Sequence, residues 1–338
     1  MITTPLSRSA LLALAPVQLR TYRATRYQGD DQSIPFASFA LVDQHILTRM
    51  YGVLQMILNT TMRYRDTPGE GAAPLHALIK ELNWSQVVHD VRELGKATYA
   101  MTTTPLMREV LHDIKGGSFM ALSVGLQLIE IGITQPDDVT RTFFLARDHR
   151  KIIRNAVPDL DAHAAALDQT SKAHSTQLLI EKWAHAAYNL PNHTVRVEID
   201  TGFVGDISDR CVEFSALDRV LYNLVNNAAR NTVDGVVHLA MLPVEADQPH
   251  NLRFVVYNAI GAEQRAQLTA HFGDKLNRLF LGGFTTDGTG LGMRICANFV
   301  ANAYGVHTIE RALAEQYIGS CLVDEQFVAW FHWPLIAD

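Results

Sequence analysis

Three groups of residues in this 338-residue chain have types and spacings suited to chemistry. The first is Gly282 to Met293, GGFTTDGTGLGM, where Gly288, Gly290 and Gly292 alternate with Thr289 and Leu291 ahead of an apolar segment. Glycines at every second position strip side chains from one edge of the backbone. Peptide N–H groups can then close on a phosphate, and a following helix adds its positive N-terminal end. The second is SALDRVLYNLVNNAARNT, Ser215 to Thr232. Asn223 and Asn227 stand four apart, on one side of a helix, with Asn226 beside them. Asparagine is a poor helix former, so three in one helix cost stability unless the amides are used. Amide oxygens coordinate a hard cation such as Mg2+ without adding charge, and Mg2+ brings phosphates with it. The third is His112 followed by Asp113. A carboxylate can hold an imidazole in one tautomer and take its proton while the other nitrogen attacks a phosphoryl group. His89 and Asp90 form the same dipeptide, so context has to separate the two.

The elements that must position these groups follow from periodicity. From Pro105, a residue suited to a helix's first turn, Met107, Leu111, Ile114, Ser118, Ala121, Gly125 and Leu128 recur at spacings of three and four. That seam of apolar and small residues predicts one arm of a helical hairpin. His112 lies one residue past it, about 100° round, and is expected to project sideways towards solvent. The hairpin turns near Gly132–Pro136 and returns from about Asp137 towards Ala173, with a break at Pro158. Two such hairpins meeting along their seams form a four-helix bundle, hence a homodimer.

Before residue 105, residues 1 to about 35 read as irregular. Helices are expected over Ala37–Arg65 and Pro74–Tyr99, separated by a turn over Asp66–Pro74. Beyond Ser175 the pattern is mixed. A short helix is expected over Leu178–Tyr188, then a strand over Thr194–Ile199, the Asn-rich helix, and strands over Val236–Leu242 and Leu252–Val256. Helical sequence to about Leu281, a final helix over Leu291–Tyr304 and a closing hairpin over Ser320–Val323 and Phe327–Trp333 complete it.

Composition sets the bounds. Two or three domains fit the length, and 48% hydrophobic residues suffice for their cores. The net charge of −6, with basic residues scattered, excludes a nucleic-acid surface. Three distant cysteines, Cys211, Cys296 and Cys321, fit a reducing compartment. No apolar run is long enough to span a bilayer, so a cytoplasmic location is expected.

In this order the parts resemble the transmitter core of sensor histidine kinases, over roughly residues 105 to 338. HDIKGG resembles the family's H box, RVLYNLVNNAARNT its N box and GTGLGM its second glycine box. The resemblance implies an α+β protein in which a helical hairpin, forming a dimeric four-helix bundle, precedes an α/β sandwich ATP-binding domain, with an extra helical N-terminal region. It divides the chain into residues 1–104 of unknown role, a dimerisation and phosphotransfer hairpin over 105–174 and an ATP-binding domain over 175–338. It implies that His112 accepts the γ-phosphoryl group of ATP, with Asp113 the neighbouring acid or base. It has Asn227 hold Mg2+ with Asn223 close by, and Arg230 and Asn231 stand near the phosphates. Gly288, Gly290, Leu291 and Gly292 would wrap the triphosphate, and Thr285 and Thr286 would open the lid. The receiving partner would be an aspartate on a response-regulator receiver domain. Two departures stand out. The first glycine box usually carries an Asp for the adenine amino group, whereas this chain has Tyr257, Asn258, Ala259, Ile260 and Gly261, leaving Asn258 as a neutral acceptor. In the H box, Gly116 and Gly117 replace the usual Asn or Thr and Pro, so any bend there comes from glycine. The alternative is a non-catalytic phosphotransfer or scaffold protein on the same fold, binding ATP weakly or not at all.

Overall fold

The structure, a computed structural model, describes residues 4–15, 19, 33–101, 104–133, 137–184, 186–189, 194–245, 249–284 and 290–335. A short helix, α1 (Arg8–Ala13), stands in the N-terminal stretch read as irregular, started by the Ser7 hydroxyl accepting from the Ala10 N–H at 3.3 Å. The chain forms two compact units: residues 31–170, and residues 1–30 together with 171–338. This differs from the three-part division expected. Residues 33–101 share a unit with the hairpin, and the N-terminal stretch belongs with the C-terminal half.

The 31–170 unit is helical. Helix α2 (Leu41–Arg63) is the first helix expected, starting four residues later. Its one buried charge, Asp43, accepts from the Gly95 N–H at 2.8 Å, the Thr98 N–H at 2.7 Å and the Thr98 hydroxyl at 2.6 Å. A carboxylate in an apolar face is tolerated because it satisfies N–H groups that a helix start would leave unpaired. The turn expected over Asp66–Pro74 is instead the beginning of α3 (Pro68–Leu82). Pro68 supplies the first turn, and Pro74 inside the helix forfeits only one backbone bond. Where one helix was expected to Tyr99, Asn83 at φ 49° and Gly95 at φ 88° cut the chain into α4 (Trp84–Glu93) and α5 (Lys96–Met101). Glycine suits that left-handed φ, and a Cβ there would also lie 2.5 Å from Leu111 Cδ1.

The first hairpin arm is two helices, α6 (Pro105–Lys115) and α7 (Gly117–Glu130), broken at Gly116, whose ψ of −157° is non-helical. The break comes where two glycines stand, and it resets the helical phase. Met107, Leu111 and Ile114 are buried as expected. Past the break Phe119, Leu122, Leu126 and Ile129 are buried, whereas Ala121, Gly125 and Leu128 are only half-buried. After a turn at Gly132, with φ 84°, helix α8 (Asp138–Ala156) returns against α6 and α7 and also packs on α2 and α3. It stops before Pro158, as the break predicts. A short 3-10 turn and α9 (Ala162–Asp168) follow, and the helical pattern does not reach Ala173.

The other unit is built on a six-stranded sheet. Strand β1 (Ser171–Ser175) pairs apart from it with β4 (Asp206–Arg210), two strands the periodicity missed because both are short and polar. Helix α10 (Thr176–Ala184) links β1 to β2 (Ala187–Asn189) and β3 (Thr194–Thr201). After β4 come α11 (Cys211–Asn231), β5 (Val236–Pro243), β6 (Asn251–Ala259) and α12 (Ala262–Phe272). A 3-10 turn, Leu276–Leu281, precedes the glycine stretch. Then follow α13 (Gly292–Ala303), α14 (Ile309–Ala314) and the closing hairpin of β7 (Ile318–Val323) and β8 (Gln326–Pro334). Strand order is β2-β3-β5-β6-β8-β7, antiparallel except β3 with β5.

Helices α11 and α13 pack on one face of this sheet. On the other, Leu11 and Ala15 of the N-terminal stretch meet Ala240, Leu242, Val255, Tyr257, Val328 and Trp330. Coverage of both faces explains why β6 is buried at every position. Arg253, fully buried in its middle, donates to the carbonyls of Leu11 (3.2 Å), Leu12 and Ala15 (2.8 Å), and its Nε donates to His332 Nε2 at 3.0 Å. Its charge therefore terminates α1, whose last carbonyls would otherwise be orphaned. Burial lowers its pKa to about 10.

Candidate functional site

The helical unit holds His112 in the last turn of α6. That helix starts at Pro105, with the Thr104 hydroxyl accepting from the Met107 N–H at 3.1 Å. The side chain of His112 is 20% exposed, so it shows one edge to solvent instead of projecting freely. Its Nδ1 lies 3.5 Å from Asp113 Oδ1, and the Asp113 side chain is only 7% exposed. A carboxylate held inward on Nδ1 leaves Nε2 as the nitrogen able to act as nucleophile. Gly116 packs against the same residue. A Cβ there would fall 2.5 Å from the His112 carbonyl oxygen and 3.8 Å from its Cε1. Lys115 is turned away and half-buried, donating to the Arg92 and Leu94 carbonyls, both at 2.9 Å, and burial lowers its pKa. A cation on the last carbonyls of α4 suits the negative end of that helix. The competing pair is spent elsewhere: Asp90 accepts from Arg49 and, at 2.7 Å, from Gln86 Nε2.

The sheet unit brings the amides to the glycines. Gly292 opens α13, and a Cβ on it would stand 3.7 Å from Asn223 Oδ1, which places the amide beside the helix start. The N-cap residue of α13, Leu291, makes no side-chain cap bond, and the start of a helix is where backbone N–H groups suit an anion. Asn227 Nδ2 donates to Met293 Sδ at 3.4 Å, which turns its oxygen the other way. Met293, within the glycine stretch but assigned no role from the sequence, is the residue that orients it. Asn231 is committed to its own helix, donating to the Asn227 carbonyl at 2.7 Å, and Arg230 is exposed at the same end. Gly282 and Gly290, at φ 83° and 69°, meet at the base of the loop. A Cβ on Gly282 would lie 3.4 Å from the Gly290 carbonyl. Thr285, Thr286 and Gly288 fall outside the described residues.

Tyr257 and Asn258 part company, as neighbours on a strand must. Tyr257 faces Leu11 and stacks on His238 at 4.6 Å, whereas Asn258 lies on the face that α11 covers. Asn258 is 1% exposed, and its Nδ2 donates to the Ala259 carbonyl at 3.0 Å, leaving Oδ1 as the acceptor it can offer. The Ala259 carbonyl also accepts from the Val233 N–H at 3.2 Å, which ties the end of β6 to the end of α11. Gly261, just before α12, has Val233 Cγ1 3.5 Å from where its Cβ would be. Amide oxygens, glycines stripped at the contact edge and a helix start form a set that fits Mg2+ and phosphate. Asn258 offers a neutral amide, a weaker acceptor than a carboxylate would be. Among the described residues no cluster of histidine, cysteine or carboxylate side chains could hold a metal ion, and no helix is long and apolar enough to cross a membrane.

Two further residues escaped sequence reasoning. Arg253 could have been suspected as a charge inside the apolar run LRFVVY. His149 could have been suspected from sharing a helical face with Leu145, Ile152 and Ile153.

No family model matches the chain, and no curated protein matches it. Solved structures similar to it include histidine kinases. The catalytic domain of histidine kinase ThkA shares 20% identity over 47% of this chain and 86% of its own, with a TM-score of 0.29. Acinetobacter baumannii histidine kinase AdeS shares 13% over 67% and 98%, at 0.26. Full-length ShkA in complex with AMPPNP shares 16% over 82% and 46%, at 0.30. Identities and scores this low transfer no residue's role, so the site has to be judged on its own geometry.

Proposed function

We propose that the chain is a protein histidine kinase that takes the γ-phosphoryl group of ATP onto His112 and passes it to an aspartate on a response-regulator receiver domain. The observation that carries this is the meeting of Asn223 with Gly292, and of Asn227 with Met293, at the start of α13. Asn223 and Asn227 would hold Mg2+, and the backbone of Gly290, Leu291 and Gly292 would hold the phosphates, with Arg230 at their edge. Bound there, Mg-ATP supplies an activated phosphoryl group. Transfer of such a group depends mostly on positioning and charge neutralisation, which amides, a cation and backbone N–H groups provide. On the helical unit, Asp113 orients the imidazole and stabilises its positive charge as Nε2 attacks. The same reading pairs two copies along residues 105–174, where Met120 and Val124 of α7 and Ile131 just past its end are exposed to solvent. A light-scattering mass of one chain would remove that part.

Incubation with γ-labelled ATP and Mg2+ should give an acid-labile, base-stable label that His112→Gln abolishes. Label persisting in that variant ends the assignment. Asn258, neutral and buried, favours one second reading, a relay that exchanges phosphate with regulators without using ATP. Calorimetry with an ATP analogue separates the two, because absence of binding at millimolar nucleotide leaves the relay.

A further inference from the structure

Residues 4–15 lie on the sheet face away from α11 and α13, at the back of the strand that carries Asn258. Leu11 and Ala15 rest on Ala240 and Leu242 of β5, Val255 and Tyr257 of β6, and Val328 and Trp330 of β8, with Leu6, Leu12 and Leu14 packed against them. Polar contacts add to this. Arg8 Nε donates to the Asp200 carboxylate at 3.0 Å and Arg8 Nη2 to the Thr201 carbonyl at 3.0 Å, both on β3. Gln326 Nε2 donates to the Thr4 carbonyl at 3.0 Å. Gln326 is buried and stands opposite Ala259 in the pairing of β6 with β8. The Ala259 carbonyl accepts from Asn258 Nδ2 at 3.0 Å. A single cross-strand pair thus carries the Asn258 amide on one member and the N-terminal segment on the other. Tyr257, buried in the cluster with Leu11, is the residue before Asn258 on the same strand. Adjacent residues of a strand share one backbone and point to opposite faces, and packed interiors transmit displacement. What seats Tyr257 and Gln326 therefore also seats Asn258.

We propose that residues 4–15 are a docking element that tunes the nucleotide site, a role that rests on nucleotide binding beside Asn258 and Gly292. Seated on the outer sheet face, the segment holds Asn258 in its binding position; lifted, it releases it. Coupling of this kind is reciprocal, so nucleotide must hold the segment down by the factor by which the segment tightens nucleotide. Both directions are measured in the full-length protein with Mg2+ and the ATP analogue AMPPNP, below the melting temperature. In wild type, saturating analogue should slow hydrogen exchange of the α1 amides about ten-fold beyond any change in α10, whose amides report general stabilisation. Leu11→Asp sets a charge against the apolar face and should lift the segment, read as fast α1 exchange. It should weaken analogue binding by the same factor, to within roughly two-fold. A purely structural role would lower the variant's melting temperature and leave both its affinity and the wild-type exchange unmoved. If Leu11→Asp does not fold, Arg8→Asp, at the exposed pair with Asp200, takes its place, and adding Asp200→Arg should recover the affinity. Wild type that binds analogue with α1 exchange unchanged, or a folded, lifted variant that binds it at wild-type affinity, overturns the coupling alone. Wild type that binds no analogue removes the nucleotide site and the coupling with it.

Discussion

The two units solve different problems with different materials. On the proposed reading the helical unit has one nucleophile to present, and it does so by committing the groups around it. Asp43 is spent on Gly95 and Thr98, and Lys115 on the carbonyls of Arg92 and Leu94. On the same reading the sheet unit has an anion to receive, and what it brings there is a helix start whose N-cap side chain makes no cap bond, glycines in place of side chains, and an amide oxygen turned away from its neighbour. The contrast extends to connectivity. The helical unit is one continuous segment, whereas the sheet unit is closed by residues from both ends of the chain. Rigidity comes from satisfied polar groups, and binding capacity from withheld ones, which is why similar histidines, amides and glycines read differently in the two places.

The comparison can be broken first where the sheet unit is closed. Arg253→Met leaves the buried carbonyls of Leu11, Leu12 and Ala15 without their donor, and should lower the unit's stability by about 3 kcal/mol. Urea denaturation measures the loss, and limited proteolysis should then cut within residues 4–19. An unchanged midpoint would show that the N-terminal stretch is not part of this unit.

Acid sharpens the comparison next, because each unit fully buries a histidine that is held neutral. His149 in the helical unit and His332 in the sheet unit both have pKa values lowered to about 3, chiefly by burial, with the Arg253 charge adding to the effect on His332. Unfolded, each titrates near 6.5, so between there and pH 3 the unfolded chain binds more protons and stability falls as pH falls. The slope should be roughly 1.4 kcal/mol per pH unit for each histidine. Urea midpoints at pH 7, 6 and 5 should show His149→Phe losing one histidine's share while the part due to His332 persists. A midpoint flat between pH 7 and 5 contradicts the neutral burial.

The smallest effect probes the withheld groups. Asn227→Asp adds a charge to the amide pair without changing its size, and should shift the Mg2+ concentration for half-maximal labelling by roughly three- to ten-fold. An unchanged metal response takes Asn227 out of the site.

Periodicity and residue type were enough for the helices that carry His112 and the asparagines, for the closing hairpin and for the break at Pro158. These are local consequences of spacing, proline geometry and strand alternation. The pairing of amides with glycines could be suspected from the sequence as shared chemistry. Only the tertiary structure shows Asn223 against Gly292 and Asn227 on Met293, because residues 66 to 69 positions apart meet only after the sheet has formed. Three corrections have the same origin. The seam past Gly116 shifted because a helix break resets the phase of everything after it, and spacing alone assumes that phase continues. The turn expected at Asp66–Pro74 became a helix because packing on α2 and α8 outweighs a single proline. The N-terminal stretch looked irregular because its order comes from Arg253, more than two hundred residues away, and a local pattern carries no trace of a partner so distant. What the sequence by itself determined is which residues have chemistry to offer. The tertiary structure decided which of them are spent on holding the fold and which remain available to a ligand, because that depends on contacts between segments far apart in the chain.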